Sequence, residues 1–189
     1  IKTAAVRLSL SYVVITSVTR DDLFDGGSSV FALTIRELKS IFPKPPRVEV
    51  LIPDYIGNML YEVLDASPDV LAHNIETVER LTPVLRHPKF SFKRSLEVLR
   101  QSKEYRKDIY TKSSIMLGLG ENDDELKAAM DSLLNVGVDI LVLGQYLRPS
   151  KTNAMVEDYA SIDLFRTYEE KAKSMGFGYV VSHPLARTS

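Results

Sequence analysis

The feature that most constrains the fold is the alternation of short apolar segments with longer segments of helical periodicity. Six segments are short, apolar and rich in β-branched residues: 12–16, 47–52, 69–73, 114–119, 139–144 and 178–182. This composition is typical of strands buried on both faces. Between them, apolar residues recur at helical spacing within 31–41, 126–133 and 164–175. The alternation predicts right-handed crossovers and a parallel α/β sheet, either open or closed into a barrel.

Local signals refine the helix boundaries. The segment 75–110 is long enough for two helices, one over "IETVERL" and one over "SLEVLRQSKEY". "NDDE" at 122–125 predicts an N-cap to which Glu125 reaches back. Gly137 and Gly176 follow helical segments, where a left-handed C-terminal residue is expected.

Size and charge limit the classes of function. The 189 residues are 44% hydrophobic and contain no linker, which predicts one globular domain over 1–189. A formal net charge of −1 gives no reason to expect nucleic acid or an anionic membrane as a partner. No apolar run approaches the ~20 residues that a bilayer span requires. The absence of cysteine excludes disulfides, and no signal-peptide pattern opens the chain, so we expect an intracellular location.

Polar side chains follow every predicted strand. In parallel α/β folds, functional groups collect in the loops after the carboxyl ends of the strands. Those loops contain "TSVTRDD", "PD", "HNIET", "GLGEN", "GQYLRPS" and "SHPLARTS". Each has a structural alternative: Asn74 could cap a helix beginning near Ile75, and Gln145 could satisfy loop amides. Polar groups in all six loops together favour a ligand site at this rim.

Two tempting motifs carry little weight. "GLGEND" lacks the third glycine of a dinucleotide fingerprint and the lysine of a phosphate loop. His73, His87 and His183 share no short metal-ligand spacing, and strand alternation points His73 away from Asn74. We therefore expect neither a nucleotide loop nor a zinc site from these residues.

The motifs taken together resemble a known family. "YVVITSVTRDDLFDGG", "RVEVLIPD", "HNIETVERL", "TKSSIMLGLGEND", "DILVLGQYLRPS" and "PLARTS" occur in the order and approximate spacing found in lipoyl synthases, members of the radical S-adenosylmethionine superfamily. The resemblance runs through nearly the whole chain. It implies a partial (βα)6 barrel whose first strand is missing here, and a fragment cut at both ends.

The resemblance also implies an activity. One [4Fe–4S] cluster would cleave S-adenosylmethionine to a 5′-deoxyadenosyl radical, and a second, auxiliary [4Fe–4S] cluster would donate two sulfur atoms. The partner would be an octanoylated lipoyl carrier domain or glycine cleavage H protein, and the product its lipoyl group. Such chemistry needs a dry, enclosed cavity. The location would be bacterial cytoplasm, or a mitochondrion or plastid in a eukaryote.

Site residues follow from the same resemblance. Those expected to contact S-adenosylmethionine are Thr16, Ser17, Asp21, Asp22, Asn74, Glu76, Arg86 and Lys112. Asn74 and Glu76 would bind the ribose hydroxyls, and Asp21 and Asp22 the α-ammonium group, with Asp25 and the neighbouring glycines shaping the turn. Ser189 would be a ligand of the auxiliary cluster through its hydroxyl oxygen.

Lys112 is the candidate catalytic residue. Strand alternation places Lys112, Ser114 and Met116 on the inner face of the fourth strand. A buried lysine is costly unless paired, so we expect it to meet an anion, either the cofactor carboxylate or the auxiliary cluster. Lys112→Met is then expected to reduce turnover more than stability, and Arg86 is a second, weaker anion-binding candidate.

Departures from the family keep two alternatives open. Both cysteine triads of the family are absent, so these 189 residues cannot hold either cluster through thiolates. Phe24 stands where proline is usual, Ser114 where glycine is usual, and Asn153 near a usual histidine. The first alternative is a catalytically silent homologue that binds a carrier domain or nucleotide. The second is an unrelated barrel aldolase that uses Lys112.

Overall fold

The computed structural model describes residues 1–187 as helices packed on an open, six-stranded parallel sheet. The strands pair in chain order: β1 (Tyr12–Thr16), β2 (Arg47–Leu51), β3 (Val70–Ala72), β4 (Tyr110–Leu117), β5 (Ile140–Gln145) and β6 (Tyr179–Ser182). The helices are α1 (Lys2–Arg7), α2 (Ser28–Lys39), α3 (Asn58–Asp65), α4 (Thr82–Leu85), α5 (Phe92–Tyr105), α6 (Asp123–Asn135) and α7 (Ile162–Met175). The predicted fold class and all six predicted strands are confirmed.

The core lies between the sheet and the helices. Val48 and Val50 of β2 pack with apolar residues of α2 and α3, such as Ile35 and Leu60. At the other end of the sheet, Ile115 and Leu117 of β4 belong to a second buried cluster. It also contains Met130 and Leu133 of α6 and Phe165 and Ala172 of α7. Because side chains alternate along a strand, Glu49, Lys112 and Ser114 lie on the opposite, inner face.

The helix caps follow the sequence signals. Asn122 caps α6 in a capping box, in which Glu125 N–H donates to the Asn122 side chain and the Glu125 carboxylate accepts from Asn122 N–H. Gly176 ends α7 in the left-handed conformation, with φ 116°. Both predictions are confirmed.

The helix predicted over "IETVERL" is not formed. Glu76 makes an isolated parallel bridge to Ile115, with its N–H donating to Ser114 O at 3.1 Å and its carbonyl accepting from Met116 N at 2.8 Å. Its φ is 67°, outside the helical region. Since this backbone extends the sheet, a helix begins only at Thr82, and Asn74 is therefore not a helix cap.

A network around Arg80 gives a pH-dependent prediction. Arg80 pairs with Glu125 and donates to Gly120 O at 2.7 Å. The bond from Arg80, followed by the bond from the Asn122 backbone, lowers the pKa of Glu125 to about 2. A carboxylate whose pKa is depressed on folding stabilises the fold above its unfolded pKa, and this contribution is lost as the pH falls towards the folded pKa.

We therefore expect Arg80→Met to lower the urea midpoint most at pH 5–7, with the difference from the parent narrowing as the pH falls towards 2. Urea unfolding followed by circular dichroism across this range measures it. Arg36, an exposed arginine on α2 without a carboxylate partner among the described residues, supplies the control Arg36→Met. A difference between Arg80→Met and the parent that is constant with pH would contradict the assignment.

Among residues 1–187, no helix combines the length and the apolar character needed to cross a bilayer.

Candidate functional site

The loops at the carboxyl ends of the strands surround two adjoining cavities. The first, of about 310 Å³, has a largely apolar wall that includes Met116, Val142 and Tyr146. The second, of about 180 Å³, is more polar and is lined by Thr16, Ser17, Asp54, His73, Asn74 and Arg86, among others. Glu76 lines both cavities, so it lies at the wall between them.

Asn74 and Glu76 point to the same side of the chain, as their spacing predicts. Asn74 Nδ2 donates to Glu76 Oε1 at 3.2 Å. The unusual backbone of Glu76, bonded on both sides to β4, fixes the direction of its side chain. The pair thus presents a carboxylate and an amide at the point where the apolar cavity meets the polar one, an arrangement suited to vicinal hydroxyl groups.

The β1 loop, residues 17–27, holds two of its three carboxylates in ion pairs. Asp22 accepts from Arg20 Nε and Nη2 at 2.7 and 2.6 Å, and this hydrogen bonding lowers the pKa of Asp22. Asp21 pairs with Lys89 and lines a third cavity, of about 440 Å³. Either carboxylate would have to exchange its present cation for a ligand ammonium group.

Asp25 has a different role in the same loop. Its carboxylate accepts from Gly27 N–H at 3.0 Å and Ser29 N–H at 3.1 Å, at the start of α2. Gly26 and Gly27 both have positive φ, of 60° and 88°. Asp25 and the glycines therefore shape the turn, as predicted.

Lys112 points to the inner face, as predicted, but its anionic partner is a protein carboxylate. Lys112 Nζ lies 2.7 Å from Glu49 Oε1, and Tyr12 Oη donates to Glu49 Oε2 at 2.5 Å. Burial first, then the bond to Glu49, raises the pKa of Tyr12. Ser114 lines the first cavity, and Lys112 lies two residues before it on β4. The group formed by Lys112, Glu49 and Tyr12 therefore lies one layer further from the rim.

A close contact between His73 and Asp54 joins the loops after β2 and β3. His73 Nδ1 lies 2.9 Å from the carbonyl oxygen of Ile52, and His73 Nε2 lies 2.9 Å from Asp54 Oδ1. Burial opposes ionisation of Asp54, but the bond and charge of His73, with smaller contributions from Arg86 and Arg94, lower its pKa overall. The pair fixes the wall of the second cavity immediately before Asn74.

Gln145 organises the loop after β5. Its side-chain amide nitrogen donates to three carbonyl oxygens, those of Leu117, Tyr146 and Asp158, at 3.0–3.2 Å. Its oxygen accepts from Ala160 N–H at 3.0 Å. Gln145 thus satisfies loop amides, as its structural interpretation predicted, and holds the 146–160 loop beside the first cavity.

Of two further predicted residues, the structure describes one. Arg86 lines the second cavity, where Nη1 donates to Ser95 Oγ at 3.1 Å and the guanidinium carbon lies 5.3 Å from the centre of the Phe90 ring. Ser189 lies outside the described residues, together with Thr188. The last described residues, Ala186 and Arg187, line the first cavity.

Several contacts were not indicated by the sequence. The pairing of Glu49 with Lys112 and Tyr12 was missed, although a charged residue within the apolar run "RVEVLI" is a usable signal. Within residues 1–187, no three His, Cys, Asp or Glu side chains converge as a metal site would require.

Comparison with known proteins defines the class. The sequence pattern of the Radical SAM superfamily matches residues 1–133, well over half of the chain. The fold is similar to that in the crystal structure of Streptococcus suis SuiB, with a TM-score of 0.68 and 11% identity, over 90% of this chain and 38% of that one. The chain belongs to the Radical SAM superfamily.

Within that superfamily, its curated relatives include proteins named lipoyl synthase. The chain is 54% identical over 184 residues to the lipoyl synthase of Caldicellulosiruptor bescii, covering 96% of this chain and 62% of that protein. It is 52% identical over 184 residues to the lipoyl synthase of Picrophilus torridus, covering 96% of this chain and 63% of that protein. The chain thus spans less than two thirds of the length of these relatives.

Proposed function

We propose that this chain is the substrate- and cofactor-binding part of a lipoyl synthase, which inserts two sulfur atoms into a protein-bound octanoyl group. The observation that carries the proposal is identity of 52–54% to proteins of that name over 96% of the chain. Identity at this level over 96% of the chain favours retention of the same reaction over reuse of the fold alone.

The two rim cavities fit S-adenosylmethionine. The apolar cavity of about 310 Å³ suits an adenine ring, and Asn74 and Glu76 at its polar edge suit the ribose hydroxyls. Thr16 and Ser17 of the second cavity, with Asp21 or Asp22 after exchange of their cations, would bind the amino acid end, and Arg86 would bind its carboxylate. When bound and reductively cleaved, this cofactor supplies a carbon-centred radical.

Iron–sulfur clusters require ligands from outside this chain. The sequence contains no cysteine, and the described residues offer no convergent ligand set. We propose that cysteines beyond these 189 residues hold both [4Fe–4S] clusters, with the Ser189 oxygen as an additional ligand of the auxiliary one. The apolar side chains of Met116, Val142 and Tyr146 would exclude water from the reacting carbon atoms.

The aldolase alternative loses support from the position of Lys112. A Schiff-base lysine must present a neutral amine to its substrate. Lys112 Nζ instead lies 2.7 Å from Glu49 Oε1, so its nitrogen is held in an ion pair and is not positioned to attack a carbonyl carbon. Its side chain is only 13% exposed, so a carbonyl substrate has little access to it.

The ribose assignment gives a direct test. We expect Glu76→Ala to raise the dissociation constant for S-adenosylmethionine about 5- to 150-fold. This factor corresponds to ~1–3 kcal/mol for the lost hydrogen bonding between the carboxylate and the ribose hydroxyls. Calorimetric titration of the full-length protein with its clusters loaded measures it, with the exposed neighbour Glu79 changed to alanine as the control. Unchanged affinity in Glu76→Ala would reject the ribose assignment.

Activity is tested on an octanoylated carrier domain. Mass spectrometry is expected to show two hydrogens replaced by two sulfurs in the presence of S-adenosylmethionine and a reductant. Binding of the carrier without conversion, in a protein with both clusters loaded, would favour the silent homologue instead.

A further inference from the structure

One part of the rim is strongly positive although the chain as a whole is not. The basic segment, residues 86–94, reads "RHPKFSFKR" and contains four Lys or Arg residues, one histidine and no acidic residue, in a chain of net charge −1. Among the described contacts, only Lys89 of these four cations forms an ion pair with a carboxylate, that of Asp21. Arg86 and Arg94 both interact electrostatically with Asp54, so three cations share one carboxylate and the segment keeps a positive excess that includes the exposed Lys93.

The positive charge lies at the mouth of the site. Three cationic side chains, Arg20, Lys89 and Arg94, line the cavity of about 440 Å³, against two carboxylates, Asp21 and Asp54. Phe90 lines both this cavity and the neighbouring one that contains Asn74 and Glu76. A ligand entering the second cavity from this side passes the basic segment.

Exposed apolar side chains lie beside the same cavity. In the β1 loop, Phe24 is fully exposed and Val18 is 76% exposed. Phe24 lies between Asp21 and Gly26, which both line the 440 Å³ cavity, and the Asp21–Lys89 ion pair joins this loop to the basic segment. A fully exposed phenylalanine on a loop joined to a basic segment is typical of a protein-binding surface and is of little use for binding a small anion.

We propose that the β1 loop and the basic segment form the docking surface for the carrier protein, and that they bind an acidic face around its acylated lysine. The inference rests on the proposed function for the presence of an acyl-lysine. Acylation removes the positive charge of that lysine, so only flanking residues can give the carrier charge complementarity with this rim. Phe24 and Val18 then supply the apolar contact, and Lys93 and Arg94 the electrostatic one.

The test uses the 189-residue chain and two fluorescent peptides of equal length. Both carry a central octanoyl-lysine, flanked in one by four Asp or Glu residues and in the other by Asn and Gln. We expect the acidic peptide to bind at least about tenfold more tightly in roughly 20 mM NaCl, and this advantage to fall in roughly 200 mM NaCl. Equal affinity of the two peptides would overturn the proposal.

Variants locate the binding surface. Lys93→Glu is expected to weaken binding of the acidic peptide about tenfold, and Phe24→Ser about threefold or more. Both side chains are exposed, so neither change is expected to alter the circular dichroism spectrum. The matched control is Lys107→Glu, an exposed lysine in the loop before β4, at the amino ends of the strands and so on the side opposite the rim. An equal loss in Lys107→Glu would show a non-specific charge effect and reject the assigned surface.

Two further measurements identify the class of partner. If the acidic peptide with an unmodified central lysine binds as tightly as its octanoyl form, the docking surface stands while the proposed acyl substrate loses support. Tighter binding of an RNA oligonucleotide or of phosphatidylglycerol vesicles, lost in Lys93→Glu, would show that the surface serves a different partner and overturn the proposal.

Discussion

Gly118→Ala is expected to destabilise the protein by roughly 2–5 kcal/mol, the sum of backbone strain and one lost hydrogen bond. A Cβ atom at Gly118 would lie 2.3 Å from both the Asp158 carbonyl oxygen and Gln145 Nε2. The Gly118 φ of 95° adds strain of roughly 1–2 kcal/mol for an L side chain. Moving Gln145 away from Asp158 breaks their hydrogen bond, at ~1–3 kcal/mol, whereas Gln145 Nε2 keeps Leu117 O and Tyr146 O as partners. Urea unfolding measures the total, and hydrogen exchange of the 146–160 loop locates it.

Gly120 provides a matched control for this substitution. Its φ is also 95°, but a Cβ there would meet only Glu157 Cγ, at 3.5 Å. Gly120→Ala therefore carries the conformational strain without the collision, and we expect it to cost only about 1–2 kcal/mol. If the two substitutions were equally destabilising, the contact between Gly118 and Gln145 would have no energetic role.

Much of the fold was predictable from local patterns. Strand positions followed from β-branched apolar runs, and the α6 capping box followed from four residues, "NDDE". The segment after β3 was not predictable in this way. "IETVERL" has helical spacing, but Glu76 bonds to Ser114 and Met116, which are distant in sequence, and this tertiary pairing overrides the local preference.

The candidate site was predictable in its position and not in its internal pairings. The rule that ligands bind after the carboxyl ends of parallel strands selected Asn74 and Glu76, and the structure brings these two side chains into contact. The contact of Asp54 with His73, and that of Asp21 with Lys89, join residues that are far apart in sequence. A single sequence gives no signal for such contacts, because the sequence neighbours of each residue are those of any polar residue in a loop.

Lys112 is the residue whose expected behaviour the structure changes most. From the sequence, its partner was to be a cofactor anion, so that Lys112→Met would affect turnover before stability. Its partner in the structure is Glu49, whose side chain is 3% exposed. Removing one member of a buried ion pair costs ~3–5 kcal/mol, because the remaining charge is left without compensation. We therefore expect Lys112→Met to lose about that much stability, measured by urea unfolding.

The double variant Glu49→Gln plus Lys112→Met distinguishes pairing from packing. With both charges removed, the desolvation cost disappears as well, and the Tyr12 hydroxyl can still donate to the amide oxygen that replaces the carboxylate. We expect the double variant to recover most of the stability that Lys112→Met loses. Equal destabilisation of the single and double variants would show that the aliphatic stem of Lys112, rather than its charge, matters. A Lys112→Met protein of parental stability that no longer binds S-adenosylmethionine would instead show that Lys112 contacts the cofactor. That result would contradict the assigned role, because an amine held by Glu49 is not free to bind a ligand carboxylate.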